Sequence, residues 1–165
     1  MTMHNRRETL FGLLAIGAAA PIVSACHVTP ADAAPERFEV NFTDAQWKAR
    51  LSPAAWRVLR HDGTERPFSS PLNDEHRAGL FLCAGCALPV FDAKTKFDSG
   101  TGWPSFWAPL PNAVRDRSDS TLGMDRTEVH CRRCGGHLGH VFDDGPRPTG
   151  KRYCMNGVAL TFRPA

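Results

Sequence analysis

Six cysteines hold most of the chemical information in this 165-residue chain, and four of them are paired. Cys83-Ala84-Gly85-Cys86 and Cys131-Arg132-Arg133-Cys134 are two CxxC knuckles. Two intervening residues let both thiolates turn toward one ion, while Gly85 and Gly135-Gly136 ease the tight backbone around it. Four sulfurs make a closed tetrahedral zinc site, structural because no coordination position is left for chemistry. Paired knuckles are a strong signal for it. Three alternatives compete. A redox CxxC explains one knuckle but not two, and lacks a thioredoxin-like βαβ context. Two disulfides would suit an oxidising compartment. His130 or His137 could also replace one cysteine as ligand.

Cys154, in Arg152-Tyr153-Cys154-Met155-Asn156, stands outside the knuckles. A lone cysteine is often an inert small hydrophobe. Here Arg152 and Asn156 lie two residues to either side, so on a strand they share the face of Cys154. A cation there favours thiolate over thiol and makes the sulfur a better nucleophile. His137 and His140, in Gly136-His137-Leu138-Gly139-His140, could relay a proton near neutral pH. Trp103, between Gly102 and Pro104, fits a loop facing such a site better than a core position.

These groups need a frame that is short-stranded and loop-rich. The composition is 42% hydrophobic and 22% charged, with ten Phe and four Trp, enough for one core and unlike a disordered chain. Lys+Arg 20 against Asp+Glu 17, with no long basic run, excludes an electrostatic footprint for nucleic acid. Thr43 and Gln46 form a capping-box pattern that predicts a helix from Asp44 to about Leu51. Ser52 as N-cap and Pro53 at the first position restart it, with Gly63 beyond the end. Trp47, Leu51, Val58 and Leu59 supply the buried stripe, and Trp56 is an additional candidate. After Gly79 the spacing predicts strands at residues 80–83, 89–91, 105–107, 121–124, 127–130, 138–142, 153–155 and 158–162. Strands this short with turns this frequent form antiparallel sheets, not βαβ units.

Residues 1–35 read as an address and a tether. Arg6-Arg7 precede an uncharged run from Leu10 to Val23, too short to span a ~30 Å hydrocarbon core. That layout is a secretory signal, and the paired arginines resemble a twin-arginine export signal. Val23-Ser24-Ala25-Cys26 resembles a lipobox that would put a lipid on Cys26, the chain's one route to a membrane. Cleavage after Ala33 would instead discard that cysteine. Either way the expected location is the periplasm or its membrane surface.

Gly102-Trp103-Pro104-Ser105-Phe106, the two knuckles, Gly135 to Phe142 and Arg152 to Asn156 together resemble the peptide-methionine (R)-S-oxide reductases, in that family's order. The resemblance covers nearly all of residues 36–165. It implies a mainly β fold of two antiparallel sheets, clamped by zinc on Cys83, Cys86, Cys131 and Cys134, with short N-terminal helices. It also implies Cys154 as nucleophile, Trp103 packed on the substrate methyl group, and His137, His140, Asn156 and Arg152 around the sulfoxide. The substrates would be proteins bearing methionine R-sulfoxide. Two positions depart from the family pattern. Thr101 stands where many members carry a resolving cysteine, which implies an external, thioredoxin-like thiol reductant. Gly157 stands where serine is common. A rival reading is a non-catalytic zinc-held β module that binds a ligand in an aromatic pocket.

Overall fold

Thr43 and Ser52 start two short helices in the computed structural model, which describes residues 36–165; the segment expected to direct export, with Cys26, lies outside them. In α1 (Asp44–Arg50) the Thr43 hydroxyl accepts from the Gln46 amide while the Gln46 side chain accepts from the Thr43 amide, completing the capping box. In α2 (Pro53–His61) Ser52 caps the N-terminus and Asp62 ends the helix in the left-handed region at φ 50°. Trp47, Ala55, Val58 and Leu59 are buried; Leu51 and Trp56 only partly.

Nine strands follow, all in antiparallel pairs. β1 (Gly79–Cys83), β2 (Pro89–Asp92) and β9 (Leu160–Pro164) form a three-stranded sheet in the order β2-β1-β9. β3 (Lys96–Phe97), β4 (Ser105–Phe106), β5 (Val114–Asp119), β6 (Arg126–Cys131), β7 (His137–Phe142) and β8 (Arg152–Met155) form a second sheet, ordered β3-β4-β8-β7-β6-β5. The expected mainly β, two-sheet architecture with short N-terminal helices is what the chain adopts.

The local departures have physical causes. The strand expected at 121–124 is a 3-10 turn, Thr121–Gly123, with Gly123 at φ 70°. The strand in that region is β5 instead, whose central residues are exposed and charged and which lies at the sheet edge. Charges on an edge strand discourage pairing with other chains, and they also hide the strand from a hydrophobic pattern. Similarly, Gly157–Ala159 is a 3-10 turn, so the last strand starts at Leu160.

The larger sheet has two chemically distinct faces. Its register aligns Arg117, Glu128, His140, Cys154 and Ser105 as successive cross-strand partners. Directly opposed residues project to the same side, so this row shares one face. The alternate residues Val129, Met155 and Phe106 turn the other way and are fully buried. Phe106 stacks on Phe91 at 4.3 Å and meets Phe81 edge-on at 4.9 Å, which joins the two sheets through an aromatic core.

Candidate active site and zinc centre

One irregularity in the polar face assembles the site. Val129 pairs with Gly139 but His130 pairs with His137, so Leu138 is an extra residue on β7. On an unbroken strand residues three apart face opposite sides; this bulge shifts the alternation by one and returns His137 to the face of His140. Their ring centroids lie 5.3 Å apart. Gly139 permits the close β7–β8 approach beside the bulge, because a Cβ there would lie 2.1 Å from the Cys154 carbonyl oxygen.

Cys154 opens into a cavity of about 140 Å³, lined by Thr64, Trp103, Arg126, Gly139, His140, Phe142, Cys154 and Asn156. Trp103 comes from the loop between β3 and β4, and its indole N–H donates to the Glu65 carbonyl at 3.2 Å. His140 stands directly across the ladder from Cys154. His137 lines a neighbouring polar cavity of about 270 Å³ instead, with Asp62, Arg117, Asp119 and Glu128; Thr64, Arg126 and His140 border both cavities.

Arg152 shares the Cys154 face but is committed elsewhere. Its guanidinium makes a bidentate pair with Asp144 at 2.8 and 2.9 Å and lies over Phe142. The expected net fall in the Cys154 pKa is therefore not found: burial pushes the thiol up, and Arg152 only opposes that rise. Asn156 lies one residue past β8, not on it. Its side-chain oxygen accepts from the Glu65 amide at 2.9 Å and its NH₂ donates to the Leu138 carbonyl at 3.1 Å, so it ties the bulge to the 64–65 segment.

Sequence reasoning missed the acidic partners. His137 Nδ1 meets Glu128 Oε1 at 2.8 Å, and Glu128 also binds Arg117. Burial resists the Glu128 charge, yet His137 and Arg117 hold its carboxyl below the usual range. Glu65 caps the amides of Gly157 and Val158, and burial pushes its own carboxyl up. The Gly157 departure also has a local cause: a Cβ at 157 would lie 2.0 Å from the Ser70 hydroxyl, which already fills that space. The only sequence signal for Glu128 was the alternation in Thr127-Glu128-Val129-His130; for Glu65 there was none.

The four knuckle cysteines converge. Their sulfurs lie within 4.8 Å of one another, with Cys83–Cys134 at 3.7 Å and Cys86–Cys131 at 3.5 Å. A zinc tetrahedron with ~2.3 Å Zn–S bonds has edges of about 3.8 Å, so the cluster fits the ion. Neighbouring sulfurs, then burial, push the Cys83 thiol well up, so ionising all four requires a cation among them. No disulfide links the knuckles, and neither His130 nor His137 joins the cluster; His130 pairs with Glu36. Turn geometry corrects one detail: in the first knuckle the left-handed residue is Ala87 at φ 57°, not Gly85, while Gly135 at φ 66° plays that part in the second. Because one knuckle joins β1 to β2 and the other joins β6 to β7, the metal clamps the two sheets together.

Comparison with known proteins agrees with this arrangement. The SelR domain family matches residues 51–164. A protein of Thiobacillus denitrificans, named peptide methionine sulfoxide reductase MsrB, is 57% identical over 123 residues, spanning 74% of this chain and 93% of the relative. Proteins of the same name from Agrobacterium fabrum and Leptospira interrogans are 53% and 50% identical, over 76% of this chain and 94% and 97% of their own lengths.

Proposed function

The chain belongs to the SelR domain family, and from that premise we infer that it is an oxidoreductase that reduces methionine sulfoxide in proteins to methionine. The observation that carries this to individual residues is a half-buried thiol facing a histidine across one ladder rung, with an indole on the cavity wall. We assign Cys154 as nucleophile and His140 as proton carrier, with His137 beside it.

A sulfoxide carries partial positive charge on sulfur and negative charge on oxygen. A raised thiol pKa suits a reaction that starts from the thiol: His140 takes the Cys154 proton as the sulfur attacks and returns it to the substrate oxygen. The oxygen passes to Cys154, leaving methionine and a Cys154 sulfenic acid, with no net proton consumed. A first thiol then attacks the sulfenic acid, releasing water and forming a mixed disulfide. A second thiol releases Cys154 and departs as a disulfide. With the methyl group against Trp103 and the oxygen toward His140, only one sulfoxide epimer fits, and we assign the R epimer. Reduction of an R-sulfoxide but not an S-sulfoxide by zinc-loaded, reduced protein is the expected result; no reduction of either would leave the non-catalytic module as the better account.

We further propose that the enzyme works outside the cytoplasm, with Arg6-Arg7 and the apolar run to Val23 as the supporting features. The thiol donor is then a thioredoxin-like periplasmic protein. Cell fractionation should recover a shortened chain in the periplasm or its membrane; full-length protein confined to the cytosol refutes this. Cys26→Ala releases the protein from the membrane only if that cysteine carries a lipid.

A further inference from the structure

His140 is held from behind by a carboxylate that no sequence motif marked. β5 ends at Asp119, whose partner across the ladder is Arg126 at the start of β6. Asp119 Oδ2 accepts from His140 Nε2 at 2.7 Å and Arg126 Nη2 at 2.6 Å, while Oδ1 accepts from the Thr121 amide at 2.9 Å and hydroxyl at 2.6 Å. We propose that Asp119, fixed by Thr121 and Arg126, is the positioning residue for His140: it sets the ring's tautomer and orientation and keeps the imidazole chargeable. This rests on His140 as the proton carrier.

An ionised carboxylate only accepts, so the proton on neutral His140 must sit on Nε2. Nδ1 is then the ring nitrogen free to take and return a proton, and it has no hydrogen-bond partner among the described residues. The Thr121 hydroxyl and amide, and then His140, hold the Asp119 carboxyl well below the usual range, so it stays charged through neutral pH. His140 itself is drawn down by burial, which Asp119 opposes and Arg126 and His137 reinforce. The other groups on its face are Glu128, already paired with Arg117 and His137, and Cys154. Neutralising Asp119 therefore lowers the His140 pKa, leaves Arg126 uncompensated beside it, and frees the ring to turn.

The test is single-turnover methionine formation from an R-sulfoxide substrate as a function of pH, using full-length protein. Asp119→Asn should slow it by about 10- to 100-fold, the usual penalty for losing a group that orients a reacting residue. It should also move the acid limb, where His140 is already protonated and cannot take the thiol proton, to lower pH. His140→Asn should slow the reaction by about 10²–10⁴-fold and remove that limb. The double variant should be no slower than His140→Asn alone. An Asp119→Asn enzyme with the parent rate and limb, beside an impaired His140→Asn enzyme, overturns the positioning role and leaves the proton-carrier assignment intact. A His140→Asn enzyme with full rate overturns the proton-carrier assignment itself. Should Asp119→Asn fail to fold, ¹⁵N–¹H spectra of the parent protein decide: His140 protonated on Nε2 supports the proposal, and protonation on Nδ1 refutes it.

Discussion

Cys154→Ser eliminates methionine sulfoxide reduction, a loss expected to exceed about 10⁴-fold because the nucleophile itself is removed. A serine hydroxyl at this position stays protonated at any workable pH and cannot accept the sulfoxide oxygen to form a sulfenic acid. The fold should survive, since oxygen replaces sulfur on a half-buried residue, and the change in stability should stay within about 1 kcal/mol. The assay is therefore turnover of an R-sulfoxide substrate beside a thermal melt, and retained activity would overturn the assignment of the nucleophile. The parent protein offers a positive counterpart. The Thr101 hydroxyl lies 4.0 Å from the Cys154 sulfur, and a hydroxyl cannot resolve the intermediate as a thiol would. The remaining described cysteines belong to the zinc cluster. After one turnover without reductant, dimedone should label Cys154; a Cys26–Cys154 disulfide in the mature protein would instead show an internal recycling route.

Motifs marked by residue type were the legible part of this site. The CxxC pairs, the Gly-Trp-Pro-Ser loop and the Cys154 strand all appear in the sequence as local spacings, and each lies on a short element that local rules predict. The polar support around the histidines was not legible. Glu128, Asp119 and Arg117 come from β5 and β6, and their meeting with His137 and His140 depends on ladder register and on one extra residue at Leu138. Nothing in Gly136-His137-Leu138-Gly139-His140 announces a bulge, although Gly139 is required there by the backbone of β8. The exposed strand β5 failed for a related reason: Val-Arg-Asp-Arg-Ser-Asp lacks apolar alternation because its stability comes from pairing with β6, and its outward charges suit an edge. The electrostatics of Cys154 were misjudged because the sequence shows Arg152 but not the Asp144 that neutralises it, nor the burial that outweighs it.

Removing zinc should unfold this protein before it exposes any chemical role for the metal. The four sulfurs already sit at nearly the edge lengths of a ZnS₄ tetrahedron, and that set leaves no open coordination position. Structural zinc contributes about 10–16 kcal/mol of binding free energy to folding, as much as the entire net stability of a typical domain, about 5–15 kcal/mol. The clamp also positions the active site. Its second knuckle runs from Cys131 through Cys134 and Gly135 directly into His137 and the bulge that follows. Around it, Arg60 donates to the Cys134 carbonyl, and Gly135 lies so close to Phe38 that a Cβ would fall 2.4 Å from the ring. Loss of the ion should release this turn, the His137–Glu128 contact and the β6–β7 register together. Elemental analysis should find one zinc per chain, and Cys83→Ser and Cys134→Ser should each lower thermal stability sharply and abolish activity together with cooperative melting. Zinc-free protein that melts like the parent and still reduces methionine sulfoxide would show that the β fold and its aromatic core hold the site without the clamp.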